Sequence, residues 1–252
     1  MKRATLVSLG LLLFGGIRLP VEHALFTARA QRHLVAVPVD LTFAEQVSQL
    51  GFAALLSGLR SLLADIVFIQ AHVAWEQTEW SRVLILFREA TALQPHATLF
   101  WDMAAWHMAW NASIAAMNNR SEPSELRRTK ASREYIDIGR DFLERGIRNN
   151  PDEPKLYEAL ARLYRDRLGD HLHASEFYAK AAANPGAAAY AERFAAYELS
   201  YCEGEERRAY DWLLRLYQRS ENERLPTLIK RLKYLEERLN IPPSQRIPDE
   251  VR

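Results

Sequence analysis

Residues 151–185 read PDEPKLYEALARLYRDRLGDHLHASEFYAKAAANP, with prolines 34 residues apart at the two ends. Proline ends a helix because it has no backbone N–H and its ring clashes with the preceding turn. Between the prolines, Gly169 and Asp170 mark a turn that divides the stretch into two parts of helical length. Apolar residues recur along both parts at helical spacing. The stretch therefore predicts two antiparallel helices joined by a short turn.

The same apolar pattern returns on both sides of this stretch. Within the stretch, the pattern consists of Tyr157, Leu160, Ala161, Tyr164, Ala174 and Phe177. A partial copy ends at Pro95 and contains Val67, Ala71, Val83, Phe87 and Ala90. Further matches after Pro95 and Pro185 are Trp101, Ala104, Ala105, Met108, Phe194, Ala195 and Tyr197. The chain therefore carries a degenerate internal repeat of helix pairs.

The period, the small residues and the terminal prolines together resemble the tetratricopeptide repeat, over roughly residues 60–220. The resemblance implies an all-α fold, a right-handed α-solenoid in which antiparallel helix pairs stack. Such pairs stack because one pair alone cannot bury its apolar face. The alternative is an irregular helical bundle in which the prolines coincide by chance.

One unit of the predicted array is too long, since Pro95 and Pro151 are 56 residues apart. The polar stretch Asn118–Lys130, NNRSEPSELRRTK, carries turn residues and accounts for the excess. We expect helix to resume near Ser124, so that this unit is a single repeat with a long inter-helix loop and an extended second helix. The insertion is an ordinary surface loop or, alternatively, part of a binding face.

The N-terminus predicts a membrane segment over residues 1–20, followed by a linker over residues 21–41. Lys2 and Arg3 precede the uncharged apolar run of residues 4–17, which is typical of a signal sequence or a signal anchor. No cleavage site stands at the usual distance from this run, which favours an uncleaved anchor in a bacterial inner membrane. A single pass then places the repeats in the periplasm. The alternative is a cleaved, periplasmic protein.

The predicted repeats occupy residues 42–222. A capping box begins a helix near Phe43. Residues 52–71 form a second apolar stretch that is interrupted only by Arg60 and Asp65. Because two charges inside a bilayer are costly, we interpret it as a buried repeat helix with both charges pointing outward, rather than as a second membrane span.

The C-terminal part predicts a capping helix over residues 223–240 and an extended tail over residues 241–252. One helical stripe carries the apolar residues Leu225, Leu228, Ile229, Leu232, Leu235 and Leu239. Lys and Glu occupy the opposite side. A terminal helix with a polar outer side covers the open end of a solenoid and keeps it soluble. The alternative is that this helix binds a partner.

Composition and motifs favour binding over catalysis. The formal net charge is +1, so nothing points to nucleic acid. The sequence contains no phosphate-binding loop, no nucleophile elbow and no zinc-binding or haem-attachment motif. His171 and His173 have a spacing that can contribute to a metal site, but no Cys or third His lies nearby in sequence, so we interpret the pair as part of a solvated turn after Gly169 and Asp170. We therefore predict that the protein is not an enzyme and that it takes no cofactor, metal or small-molecule substrate.

The resemblance implies that one face of each first helix lines a concave groove that binds a partner protein. The groove residues predicted on this basis are Phe68, His72, Trp75, Asp102, Trp106, Trp110, Arg162 and Arg165. Further positions on the same faces are Asp65, Glu76, Leu99, Ala109, Lys155, Glu158 and Asp166. Trp and Arg most often dominate binding energy. Asp102 is predicted to orient a donor, and Arg162 with Arg165 to hold an acidic part of the ligand. The alternative for Trp106 and Trp110 is a place in the core.

These observations predict a membrane-anchored scaffold or adaptor that holds a protein partner within a bacterial envelope assembly of the pilus, secretion or polysaccharide-export type. Five of the six tryptophans lie between Trp75 and Trp110, in the half of the chain that is poor in charge. An apolar half beside an anchor also fits a second hypothesis. In that hypothesis the protein is a permanent accessory subunit of an integral membrane complex, and its Trp-rich half packs on membrane helices.

Overall fold

The structure is a computed structural model that describes Gln49 and residues 59–248. Every regular element in this part of the chain is helical, which confirms the all-α prediction for these residues. The predicted anchor over residues 1–20, the linker over residues 21–41 and the helix start near Phe43 lie outside the described residues. No helix among the described residues is both long and apolar enough to cross a membrane.

The helices follow one another with short connections. We number them α1 (Arg60–Glu76), α2 (Trp80–Leu93), α3 (Thr98–Trp106), α4 (Ser113–Met117), α5 (Glu125–Asn149), α6 (Pro154–Leu163), α7 (His171–Ala182), α8 (Ala191–Leu199), α9 (Glu206–Arg219) and α10 (Pro226–Arg238). Two π-helical segments are π1 (His107–Ala112), which joins α3 to α4, and π2 (Tyr164–Leu168), which extends α6. Single 3₁₀ turns occupy Glu221–Glu223 and Pro243–Gln245.

Local sequence explains where the chain reverses between α6 and α7. Gly169 ends π2 with a φ of 65°, a left-handed conformation that glycine adopts without steric cost. The Asp170 N–H then donates to the Tyr164 carbonyl at 2.9 Å, and the Asp170 side chain accepts the His173 N–H at the start of α7. The predicted turn at Gly169 and Asp170 is therefore present, and α6 and α7 pack against each other.

Helices pack mainly against their neighbours in sequence, and the small residues of the repeated pattern lie where they meet. Ala161, Tyr178 and Ala195, from α6, α7 and α8, form one buried cluster. A larger core extends from α1 to α6 and includes Trp101 and Leu160. The first helices α3 and α6 also contact each other. This arrangement is compatible with a repeat-like stacking of helix pairs.

The long unit between Pro95 and Pro151 puts most of its extra residues into its second helix. Helix α5 has 25 residues, whereas α2 has 14 and α7 has 12. The Ser124 side chain caps α5 by accepting the Arg127 N–H, as the sequence predicted. Residues 118–124 connect α4 to α5, so the inter-helix loop ends where helix was predicted to resume and is shorter than the whole polar stretch. The rest of the polar stretch is the first turn and a half of α5, whose polar side chains suit an exposed helix as well as a loop.

Two glycines of α5 allow the helices of this unit to approach closely. A methyl group at Gly139 would lie 2.7 Å from Ala109 Cβ and 2.9 Å from the Ala105 carbonyl oxygen. A methyl group at Gly146 would lie 2.9 Å from Cβ and Cγ of Trp101. Real Cβ atoms do not come this close to other heavy atoms. Ala109 is thus fully buried against α5, and its predicted groove position is wrong.

Helix α1 has one buried face and one exposed apolar face. Ala64, Val67, Ala71 and Ala74 are buried in the core. The opposite side exposes large aliphatic residues, with 57% of Leu62 and 62% of Ile69 accessible, together with Leu59, Ile66 and Val73. We call these five residues the α1 outer face. The prediction of a buried helix over residues 52–71 therefore holds for only one side of the part that the structure describes.

The C-terminal residues fold back onto α10. Leu228, Leu232 and Leu235 of α10 are buried, as the apolar stripe predicted, whereas Leu225 stays exposed. Ile241 and Ile247 belong to the same core cluster. The Ile247 N–H donates to a carboxylate oxygen of the buried Glu236 at 2.7 Å. The prediction of an extended tail is therefore wrong for residues 241–248, because its two isoleucines bury apolar area that a free tail would leave in water.

Candidate functional site

A pocket of about 430 Å³ opens where α3, π1, α5 and α6 meet. Its lining combines apolar, aromatic and charged side chains, namely Asp102, Met103, Ala105, Trp106, Trp110, Leu143, Ala159, Arg162 and Asp166. This volume lies within the range of ordinary ligand pockets. We call it the indole pocket, after Trp106 and Trp110.

The helix from α3 to π1 buries one side in the core, and this orientation places the two indoles at the pocket. Trp101 fills the opposite side of α3, where it is 2% exposed and donates its indole N–H to the Pro95 carbonyl at 2.9 Å. Trp106 ends α3 and is 42% exposed. Trp110, one turn later in π1, is half-buried and packs against the core. The close approach of Gly139 holds this helix against α5, and so sets where both indoles lie.

Asp102 lies one turn before Trp106 and carries an unusual carboxylate. It is half-buried, and among the described residues neither of its oxygens has a hydrogen-bond or ion-pair partner. Burial raises the pKa of Asp102, while the positive charges of Arg162 and Lys155 on α6 oppose this rise. The carboxylate is thus half-buried, and no described residue around it donates a hydrogen bond to it.

Arg165 does not contribute to the indole pocket, contrary to the sequence prediction. Its guanidinium donates to both carboxylate oxygens of Asp166, at 2.6 and 3.2 Å, and to the Tyr178 hydroxyl at 3.3 Å. Glu198 lies 3.8 Å away. These partners raise the pKa of Arg165, and the Asp166 hydrogen bond is the largest cause. The sequence spacing predicts that Arg165 shares a face with Arg162, but π2 begins between them at Tyr164. Asp166 lines the pocket instead.

The predicted groove residues of α1 form an aromatic cluster beside the pocket and do not line it. Phe68 stacks on Phe100 with ring centroids 4.5 Å apart. The ring centroids of His72 and His107 are 5.3 Å apart. The ring centroid of Trp75 lies 5.0 Å from that of His107 and 6.4 Å from that of Trp106. Trp75 therefore packs next to Trp106, whereas Phe68 and His72 pack on other aromatic rings of the molecule.

His107 lies at the centre of this aromatic cluster and is fully buried. Its Nδ1 lies 3.2 Å from the side-chain amide nitrogen of Asn111, while its Nε2 is buried without a hydrogen-bond partner. Burial, together with the neighbouring His72, lowers the pKa of His107 to about 4. The imidazole is therefore neutral near pH 7.

The histidine pair of α7 is engaged in separate local contacts. The Nδ1 of His171 lies 2.7 Å from Glu198, and the Nδ1 of His173 lies 2.6 Å from Asp170. Within the described part of the chain, no group of three or more His, Cys, Asp or Glu side chains is placed to hold a metal ion.

The structure thus brings together Asp102, Trp106, Trp110 and Arg162 from the predicted groove set, and Asp166 from the further positions on the same faces. Sequence reasoning missed the apolar part of the lining, which is Met103, Ala105, Leu143 and Ala159. The available signal for Leu143 was its place on the apolar face of α5. Nothing in the sequence indicated that this face would reach the same pocket as α3.

Neither a protein-family model nor a curated protein matches the chain.

Proposed function

We propose that the protein is a membrane-anchored scaffold or adaptor of a bacterial envelope assembly, in which a tetratricopeptide-like stack of helix pairs binds a partner protein at the indole pocket. The anchor is the apolar run of residues 4–17, and the stack stands in the periplasm. The assembly is of the pilus, secretion or polysaccharide-export type. The right-handed solenoid is part of this proposal, and the contact between α3 and α6 supports it.

The observation that carries the proposal is a pair of indoles, Trp106 exposed and Trp110 partly buried, in one pocket with the charged side chains of Asp102 and Arg162. A Trp side chain left partly in water forgoes much of its hydrophobic stabilisation. Trp is also enriched among the residues that dominate protein–protein binding. Trp106 is 42% exposed, whereas Trp101 on the same helix is buried. Binding a partner would bury this surface.

Crosslinking in native membranes, followed by mass spectrometry of the captured proteins, tests the proposal. Changing Trp106 and Trp110 together to Ala should remove the main partner, since each hot-spot residue contributes roughly 2 kcal/mol or more. The matched control is Leu126→Ala, because Leu126 is 80% exposed and lies away from the pocket on α5. The control should capture the partner as the parent does.

Thermal melts separate loss of binding from loss of folding. The double variant should lose less stability than Trp101→Ala, because Trp106 is 42% exposed and Trp110 is only partly buried against the core. Trp101→Ala should instead lose about 3–5 kcal/mol, because that indole is buried. Undiminished capture by a normally folded double variant would refute the pocket as the binding site.

A second candidate function is favoured by the α1 outer face. Five large aliphatic residues on one helical face form an apolar patch of the kind that marks an interface. An accessory subunit could pack this face on the helices of an integral membrane complex. The double variant Ile66→Asn and Ile69→Asn tests this idea in the same crosslinking experiment. Loss of the partner with this variant alone would favour the accessory subunit, and loss with the tryptophan variant alone would favour the adaptor.

A further inference from the structure

We propose that the indole pocket takes a basic side chain, lysine or arginine, from the partner protein, with its charged end at Asp102 and its aliphatic stem along Trp106 and Trp110. This inference rests on the proposed function and specifies the chemistry that the site recognises.

The first argument is the carboxylate of Asp102, which no described residue pairs. A half-buried carboxylate of this kind can accept hydrogen bonds from a ligand, and bonds from a charged donor to a carboxylate are among the strong ones. Arg162 and Lys155 act on Asp102 electrostatically, but neither forms an ion pair with it within 4.0 Å among the described residues. Asp102 is therefore the carboxylate of the pocket that is most available to the hydrogen-bond donors of a ligand.

The second argument is the aromatic wall. A cation near the face of an indole is attracted by the ring quadrupole, and the methylene groups of Lys or Arg pack on the same surface. Trp106 and Trp110 provide two such rings in one pocket with Asp102, and Met103 adds a flexible apolar contact. Aromatic rings next to a carboxylate suit a cation better than they suit an anion.

The third argument is what the other charges already do. Asp166 is bound by Arg165 at both oxygens, so it offers little to a ligand. Arg162 is exposed, so water already solvates its charge, and a partner carboxylate would gain little there. An acidic ligand would therefore find an exposed cation, whereas a basic ligand would find a half-buried carboxylate that no described residue pairs.

The test uses the full chain in detergent, labelled with ¹⁵N at tryptophan, so that the six indole N–H signals can be followed. The probes are the N-acetyl amides of arginine, lysine, norleucine and glutamate. Arginine and lysine should shift the signals of Trp106 and Trp110 at concentrations about tenfold or more below norleucine, as a charge-assisted hydrogen bond requires. This comparison needs no variant. Equal effects of arginine and norleucine, or a stronger effect of glutamate, would overturn the inference.

Matched variants identify the carboxylate. Asp102→Asn keeps the shape and removes the charge, so the preference for arginine over norleucine should disappear. Asp102→Glu should retain it, and Asp166→Asn should leave it almost unchanged. If Asp166→Asn removed the preference and Asp102→Asn did not, the assignment to Asp102 would be wrong.

Partner capture distinguishes the inference from the function on which it rests. If the double tryptophan variant loses the partner while Asp102→Asn keeps it, the adaptor function stands and the basic side chain is refuted. If neither variant loses the partner, the binding site itself is refuted. If both lose it, both proposals are supported.

Discussion

Gly139 is where the packing of the long unit can be tested most sharply. A methyl group at this position would lie 2.7 Å from Ala109 Cβ, 2.9 Å from the Ala105 carbonyl oxygen and 3.0 Å from the Ala109 nitrogen. Two of these three atoms belong to the backbone, so no side-chain rotation can relieve the contact. The Gly139→Ala variant must therefore push α5 away from α3 and π1.

Two opposing effects set the magnitude of this change. Overpacking a buried contact costs about 1–3 kcal/mol, and rigid backbone neighbours place this case near the upper end. Alanine in place of glycine inside a helix contributes about 1 kcal/mol in the other direction. The free energy of unfolding should therefore fall by about 2 kcal/mol. For a chain of this length, that is a lower melting temperature by roughly 4–8 °C.

Chemical and thermal denaturation followed by circular dichroism measure the effect. The companion variant is Ala109→Gly, which removes the methyl group on the facing helix. The double variant with Gly139→Ala should lose less stability than the two single variants lose together, because the shortest contact, with Ala109 Cβ, is then absent. If Gly139→Ala were as stable as the parent or more stable, the gain in helix propensity would outweigh the cost of packing. The close approach of α5 to α3 and π1 would then be incorrect.

Three further predictions concern other parts of the molecule. Ala161→Leu, in the α6–α7–α8 cluster, should destabilise by about 1–3 kcal/mol through overpacking, and Leu160→Ala, in the larger core, by about 2–5 kcal/mol through a cavity, both measured by urea denaturation. If both variants melt like the parent, the repeat register is wrong. Ile247→Ala should lose about 2–5 kcal/mol, because Ile247 is only 6% exposed. A negligible change there would show that the C-terminal residues do not pack on α10. Stability should decrease as the pH falls from about 6.5 towards 4, because folding lowers the pKa of His107 from 6.5 to about 4 and the unfolded chain then binds more protons. His107→Leu should flatten this pH dependence, and an unchanged slope would contradict the burial of a neutral imidazole.

Features that depend on neighbouring residues could be predicted from the sequence. The paired helices and the turn at Gly169 and Asp170 follow from apolar spacing and from the backbone preferences of a few adjacent residues. The start of α5 at Ser124 follows from a side chain that caps a helix three residues away. The burial of Trp101 and the presence of Asp102 and Trp106 on another side of α3 follow from helical periodicity. Each of these features is decided within one or two helical turns.

The indole pocket required the tertiary structure. Arg162 and Arg165 look alike in sequence, yet a π turn and the carboxylate of Asp166 take Arg165 out of the site. Leu143 reaches the pocket because Gly139 lets α5 approach α3 within a distance that any larger side chain would prevent. The fold-back of Ile247 depends on a buried acceptor, Glu236, eleven residues earlier. Side-chain volumes and hydrogen-bond partners on separate helices decide these contacts together, so the periodicity of any one helix does not contain them.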